Sequence, residues 1–486
     1  MIKIEEVLKD DYQKWKNNEY IFEKENGLYK SITFGEFIEK SIYLAEYLLS
    51  KNLKGKKIML FSENSINWMI TDIAIMSYVG ESITISKEWK YDDVDYAINL
   101  LNVDCVIYSN SKKEIINEIR NKYKDILYIC MEEEYQEILK IGQELNNKKS
   151  EMFDFESKSD DECVKIIFTS GTSDMPKAVK LSLKNIFAGA KPLSYRAELN
   201  ETDICYLFLP LTHTYGNIYN FIYSLLFGFK IYLASSTQEI PEELLEVNPT
   251  IFCSVPLIYM NMYNVAKDNL TKVFGNRIRY LFCGGANWDK NIRKFYKDSG
   301  LNLLEAYALS ETASSFAIEY SNRDDFESVG TIFEDIDVKV IDKDENGHGE
   351  IVVKGDNVFL GYANNEEETK KAFTDDGYFK TGDIGFIDEK NRLYIIGRKK
   401  KMLIGSNGEN ISINRIINKI KGTNSNISSV KIFIKNEKIN CSIYLKTEDS
   451  TNWEKIISDY NNNCPKYERI DEYQIIIDSV DTRLKQ

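Results

Sequence analysis

Histidine is almost missing from this chain: of 486 residues, only His213 and His348 carry an imidazole. A His-rich metal site is therefore excluded, and a histidine-dependent hydrolase would have to use one of these two. Proline is scarce as well, at seven residues, and no low-complexity tract is present, which argues against long disordered stretches. The cysteines (105, 130, 163, 205, 253, 283, 441 and 464) never fall at CxxC spacing, and several lie in apolar runs, so buried reduced thiols are expected. No stretch approaches the roughly 18 apolar residues of a membrane span, and Met1-Ile2-Lys3-Ile4-Glu5-Glu6 lacks the apolar core of a signal peptide. The expectation is a soluble cytoplasmic protein without stable membrane insertion. A basic face or tail is also lacking. The formal charge is −14 with both signs mixed along the chain, which speaks against a nucleic-acid partner. The one dense basic run, Arg398-Lys399-Lys400-Lys401, reads on charge alone as a solvated turn.

What is present is a large apolar fraction, 43% of the residues, in a chain too long for one compact core. The pattern alternates between helix and strand. Ser31-Ile32-Thr33-Phe34 leads into an amphipathic helix through Ser41 to Leu48, and Gly55 to Phe61 reads as a buried strand. Asn67-Trp68-Met69-Ile70 opens another helix, while Val103 to Tyr108 and Ile126 to Cys130 read as strands. Strands separated by helical lengths predict an α/β fold built on parallel sheets. Residues 131–162 are charged and loosely patterned and read as a connector. From about residue 329 to 397 shorter alternating strands (Val338 to Ile341, Glu350 to Val353) suggest a small β-rich lobe. The reading is a large N-terminal domain over 1–397, a hinge over 398–401, and a small mobile α+β domain over 402–486.

The most informative segment runs from Ile166 to Ser182. A β-run enters Thr169-Ser170-Gly171-Thr172-Ser173-Asp174, leaves through Met175-Pro176-Lys177, and resumes as a strand. Backbone N–H groups, hydroxyls and an ammonium in such a loop suit a polyphosphate. The spacing is not that of a Walker loop, and taken alone the segment fits a Ser/Thr-rich hairpin equally well. Further motifs follow in order: Leu209-Pro210-Leu211-Thr212-His213-Thr214-Tyr215-Gly216, then Val255-Pro256, Gly284-Gly285-Ala286 and Tyr307-Ala308-Leu309-Ser310-Glu311-Thr312. Thr381-Gly382-Asp383 and Gly397-Arg398-Lys399-Lys400 complete the series. Together they resemble the signature set of the acyl-adenylate-forming superfamily of acyl-CoA synthetases, adenylation domains and luciferases. The resemblance spans the chain from about residue 20. Gly405-Ser406-Asn407-Gly408-Glu409-Asn410-Ile411 is similar to the long-chain acyl-CoA synthetase branch.

The resemblance implies an acid–thiol ligase. A carboxylic acid and ATP would give an acyl-adenylate and pyrophosphate, with Mg²⁺ as the metal. The acyl group would then pass to coenzyme A or to the phosphopantetheine arm of an acyl carrier protein. Thr169, Ser170, Gly171, Thr172, Ser173 and Lys177 would hold phosphates, with Glu311 holding Mg²⁺ and Thr312 touching the α-phosphate. Gly285, Ala286 and Tyr307 would enclose the adenine, Asp383 would accept both ribose hydroxyls, and Arg398 would add a donor. His213 would stand beside the acyl carboxylate, Lys400 would be the pivot, and Lys485 the adenylating lysine. Without the motifs, Tyr307 reads as core, Arg398 as a surface cation and Lys485 as a frayed tail. No Asp lies between Leu209 and Gly216, which favours a plain organic or fatty acid over an amino acid.

Some positions depart from the family pattern. Asp174 and Ala178 replace phosphate-loop glycines, and Asp174 would repel phosphates. Ala308 replaces the Gly after Tyr307 and would narrow the acyl channel by a methyl. The Gly before Lys485 is missing and the C-terminal domain is short for the family. These departures support an alternative, a catalytically degenerate nucleotide-binding relative with a regulatory role, whereas Lys177, Glu311, Asp383, Arg398 and a terminal lysine support turnover. A luciferase-like oxygenase has no distinguishing residue in its favour.

Overall fold

A computed structural model describes residues 4–156, 158–169, 175–266, 269–285, 290–321, 325–399, 403–404, 410–411, 413–435 and 438–477. The chain divides into two compact units. The first comprises Met1–Lys87, Val94–Ile167 and Ala178–Lys399, and the second Glu88–Asp93, Phe168–Lys177 and Lys400–Gln486. The fold is α/β, with several sheets and a small α+β portion at the C-terminal end.

Two large sheets organise the first unit. In the nine-stranded sheet the order from one edge is Thr331–Ile332, Ser315–Ile318, Leu303–Ala308, Tyr280–Gly284 and Ile251–Ser254, then Ile204–Leu207, Lys230–Leu233, Glu19–Glu25 and Leu28–Thr33. Leu303–Ala308 through Glu19–Glu25 run parallel, and antiparallel strands close both edges. Strands such as Ile251–Ser254 are buried on both faces, which explains their unbroken apolar runs. The second large sheet has a parallel set made by Cys163–Thr169, Glu81–Thr84, Lys57–Phe61, Cys105–Tyr108 and Leu127–Cys130. A four-stranded antiparallel sheet follows, from Asp337–Ile341, Gly349–Lys354, Phe379–Ile387 and Leu393–Arg398.

The helix Phe34–Ser50 begins with a capping box. The Glu36 N–H donates to Thr33 Oγ1 at 3.1 Å and the Thr33 N–H to Glu36 Oε2 at 2.7 Å. Its face of Phe37, Ile38, Ile42, Ala45 and Leu48 is buried. The supposed connector 131–162 needs correction, because Met131–Asn146 is a 16-residue helix. Met131, Tyr135, Ile138 and Gly142 fall on one buried stripe that a surplus of glutamates disguised. This helix lies so close to Phe34–Ser50 that a Cβ on Gly142 would sit 1.8 Å from the Tyr43 carbonyl, so only glycine fits there.

In the second unit, the sheet Ile427–Lys435, Lys438–Leu445 and Glu472–Ile477 carries the helices Ile413–Lys421 and Trp453–Asn462. Ile416, Ile420, Ile443, Trp453 and Ile457 form its core. All eight cysteines are free thiols, seven of them buried and Cys163 partly exposed. No described helix is long and apolar enough to cross a membrane.

Candidate active site

The carboxyl ends of parallel strands are where α/β sheets leave a crevice for ligands. At that edge of the nine-stranded sheet, Tyr280–Gly284 ends in Gly285, whose φ of +90° any residue with a Cβ would adopt only under strain. The space beside it is open: an added Cβ would meet only Val255 Cγ1, at 3.9 Å. Leu303–Ala308 ends at the same edge and carries Tyr307.

Tyr307 leads to the densest polar cluster of the sequence-derived site. Its hydroxyl donates to Asp383 Oδ2. On the other oxygen, Arg398 Nε lies 2.7 Å from Asp383 Oδ1. The antiparallel register that sets Asp383 opposite Arg398 makes this pairing a consequence of the sheet. Burial pushes the Asp383 carboxyl above its ordinary range, while Arg398 and the Tyr307 hydroxyl pull it back. Burial and the adjoining Asp383 push the Tyr307 phenol well up. The ring of Tyr307 meets Phe316 edge-on, with centroids 5.0 Å apart. Each Asp383 oxygen retains a lone pair beyond these two bonds, as a bidentate acceptor for a diol requires.

Glu311 stands on the single turn Ser310–Thr312. The Tyr362 hydroxyl donates to its Oε1 at 2.9 Å, and the Phe359 N–H holds its carbonyl at 2.8 Å. Burial and the Glu311 charge together push the Tyr362 phenol up, so it stays a donor. Next to it, Thr312 is fully buried, and its hydroxyl lies 2.8 Å from the Ser314 carbonyl while accepting from the Leu309 N–H at 3.1 Å. That hydroxyl is turned into its own turn and does not face outward. Ala313 follows at φ +56°, an unusual conformation for a residue with a Cβ.

His213 precedes the short helix Thr214–Gly216, which continues as the π-helical stretch Asn217–Ile222. The corner before it is clamped from a distance: Asn64 Nδ2 donates to the Leu209 carbonyl at 2.8 Å and Asn64 Oδ1 accepts from the Leu211 N–H at 3.0 Å. Gly216 is forced by close approach, since a Cβ there would lie 2.3 Å from the Pro210 carbonyl. In the second unit, Thr169 ends the strand Cys163–Thr169 and Lys177 opens Lys177–Ser182. Ser170, Gly171, Thr172, Ser173, Asp174, Ala286, Lys400 and Lys485 lie outside the described residues.

The structure thus brings Tyr307, Asp383 and Arg398 into direct contact. Sequence reading missed Tyr362, 51 residues beyond Glu311, and Asn64, whose partners are about 145 residues away. Nothing local marks either one. Lys399, in the run read as a solvated turn, is exposed and also pairs with buried Glu350 at 2.5 Å. No group of three or more His, Cys, Asp or Glu side chains able to hold a metal occurs among the described residues.

Comparison with known proteins identifies the fold family. The AMP-binding enzyme family matches residues 8–363. The chain belongs to the AMP-binding enzyme family. Among similar proteins, the long-chain-fatty-acid–CoA ligase ACSBG2 of Xenopus laevis is 23% identical over 480 residues, covering 84% of this chain and 64% of its own length. Long-chain-fatty-acid–CoA ligase 1 of Saccharomyces cerevisiae is 28% identical, covering 63% of this chain and 50% of its own. This AMP-binding chain therefore spans between half and two thirds of the length of these two relatives. In structure it is similar to the o-succinylbenzoate CoA synthetase of Bacillus subtilis solved with a product analogue, at TM-score 0.81, 19% identity and coverage of 97% and 94%. The fatty acyl CoA synthetase of Mycobacterium tuberculosis gives TM-score 0.70 at 21% identity, with coverage of 98% and 94%.

Proposed function

We propose that this AMP-binding chain is an ATP-dependent acid–thiol ligase. An acid carboxylate oxygen attacks the α-phosphorus of ATP, pyrophosphate leaves, and a thiol then takes the acyl group from the adenylate and releases AMP. The observation that supports this reading best is the Tyr307–Asp383–Arg398 cluster. A carboxylate held on both oxygens, yet with lone pairs to spare, is fitted to a ribose diol. Gly285 would let the adenine approach the backbone, beside the Tyr307 ring.

Mg²⁺ is assigned to Glu311, and the residues fit that ion. Tyr362 occupies Oε1 and Oε2 has no described partner. A single carboxylate supplemented by water and phosphate oxygens is the usual way Mg²⁺ binds a nucleotide. When bound, it would neutralise phosphate charge as pyrophosphate departs. Thr169 to Ser173 and Lys177 are assigned to the phosphates, Ala286 to the nucleotide and His213 to the acid carboxylate, while the inward-turned Thr312 hydroxyl leaves no contact with the α-phosphate. In this reading residues 1–397 bind nucleotide and acid, Lys400 within 398–401 is the pivot, and 402–486 carries Lys485 for adenylation. Coenzyme A is the first acceptor to test, because the relatives named above are CoA ligases; the phosphopantetheine arm of a carrier protein presents the same thiol.

The test is pyrophosphate release with ATP, Mg²⁺ and a panel of alkyl and aryl acids, with hydroxylamine trapping, in the presence and absence of coenzyme A. Hydroxamate without the thiol and thioester with it are expected. Lys485→Ala is expected to stop pyrophosphate release yet still pass a supplied acyl-adenylate to the thiol. If the protein binds ATP but no acid elicits pyrophosphate, the ligase reading fails and a nucleotide-binding regulatory role replaces it.

A further inference from the structure

Glu311, the carboxylate assigned above to Mg²⁺, stands on a single turn of three residues, which by itself leaves a long side chain its rotamer freedom. A segment far along the chain restrains it. The Phe359 N–H donates to the Glu311 carbonyl at 2.8 Å and the Tyr362 hydroxyl to Oε1 at 2.9 Å, so main chain and side chain are gripped together. Tyr362 is itself pinned. It belongs to the two-residue strand Gly361–Tyr362, which pairs with Lys177–Ser182 so that Tyr362 lies opposite Val179. On either side, the Leu360 N–H donates to the Lys180 carbonyl at 3.0 Å and the Ala363 N–H to that of Ala178 at 2.8 Å. The Tyr362 N–H donates to Thr369 Oγ1 at 2.9 Å. Its ring is buried and meets Phe359 edge-on, with centroids 4.9 Å apart. Phe359 packs in turn against Phe379, at 5.2 Å, where the strand that carries Asp383 begins.

A carboxylate free to turn about its last torsion can offer a cation either oxygen or both. A donor fixed on Oε1 selects one plane and leaves Oε2, which has no described partner, as the ligand atom. A phenol hydroxyl does this without bringing a positive charge that would compete with the cation, as Lys or Arg would in its place. We infer that Tyr362 is a positioning residue for the metal: it acts through Glu311, turning Oε2 toward a divalent cation that arrives with the nucleotide. This inference rests on the assignment of Mg²⁺ to Glu311 in the ligase reading and deepens it.

The experiment uses the full-length protein with ATP and no acid, and reads bound Mn²⁺ by electron paramagnetic resonance. ATP binding in EDTA is measured alongside by calorimetry, for the wild type, Tyr362→Phe, Glu311→Gln and the double variant. Tyr362→Phe should weaken Mn²⁺ binding to the protein–ATP complex by about ten- to a hundredfold, the scale of losing a group that orients a metal ligand. Its ATP affinity in EDTA should stay that of the wild type. Glu311→Gln should weaken Mn²⁺ binding at least as much, and adding Tyr362→Phe to it should cost nothing further, because the hydroxyl acts only through that carboxylate. Unchanged Mn²⁺ affinity in Tyr362→Phe overturns the inference, as does an equal loss of ATP affinity in EDTA, which would mark a merely structural role. A further loss in the double variant overturns it too. Should Tyr362→Phe fail to fold, Thr369→Val, which removes the acceptor of the Tyr362 N–H, is judged by the same titrations, with a smaller loss of Mn²⁺ affinity expected and none overturning the inference. Intact Mn²⁺ binding in Glu311→Gln removes the metal from Glu311 and the inference with it. If the Mn²⁺ results hold but no acid elicits pyrophosphate, the ligase reading fails while the role of Tyr362 stands, and a protein that binds no ATP overturns both.

Discussion

Two buried carboxylates in the first unit face opposite fates. Asp72 is sealed: Lys165 Nζ lies 2.6 Å from both of its oxygens, and the side chains of the pair are 0% and 1% exposed. Ser82 and Asn217 complete its shell, at 2.6 and 3.2 Å. Asp383 is as deeply placed, at 2%, but its cation Arg398 is 35% exposed. The first pair has no side open to a ligand. The second has one flank in solvent, where an incoming hydroxyl can join. A third carboxylate extends the series: Asp11, 7% exposed, has Lys14 as its partner at 3.2 Å, and that lysine is 60% exposed. Exposure of the cation, more than burial of the acid, separates a structural strut from a binding group.

The largest effect is expected at the sealed pair. Lys165→Met should cost about 3–5 kcal/mol in urea unfolding, because Asp72 is left in the core without its cation. The double variant Lys165→Met/Asp72→Leu should recover part of that loss, though Ser82 and Asn217 lose a partner. A single variant as stable as wild type would break the distinction.

At the half-open pair the effect should move from stability to binding. Arg398→Ala is expected to keep its melting temperature yet weaken ATP binding in calorimetric titration by about ten- to a hundredfold, the scale of one charge-assisted hydrogen bond. Loss of Arg398 also removes one of the two groups that oppose burial at Asp383, leaving only the Tyr307 hydroxyl. Its carboxyl then protonates at higher pH, so affinity should fall away earlier on acidification than in the wild type. Unchanged affinity would remove Asp383 and Arg398 from the nucleotide site.

The smallest effect belongs to Asp11. Burial pushes its carboxyl up to about 6, with Lys14 pulling back. Because the folded pKa exceeds the unfolded one, its stabilising contribution is complete below about 3.8 and disappears as pH rises through about 6. Asp11→Asn should therefore flatten the decline in melting temperature across that window. An identical slope would show that exposed Lys14 already compensates for the burial.

The parts of this molecule that could be read from residue order are those in which a short segment carries its own instructions. The amphipathic helix after Thr33, the apolar strands and the run from Leu209 to Gly216 are local, and each is found as an element or corner of the fold. The helix Met131–Asn146 escaped notice because its glutamates masked a buried stripe that only its neighbour Phe34–Ser50 makes necessary. Tyr362 and Asn64 were beyond reach for another reason, since hydrogen bonds spanning 51 and 145 residues leave no trace in spacing.

By itself the sequence determined the α/β class, the free thiols and the motif series that marks membership of the AMP-binding family, because periodicity, composition and motif order are properties of neighbours along the chain. Tertiary structure alone decided which carboxylate is sealed and which is open. It also turned the Thr312 hydroxyl inward and brought the Tyr362 hydroxyl to Glu311. Those outcomes depend on which distant strands and helices meet, and solvent access to a side chain is set only once they have packed.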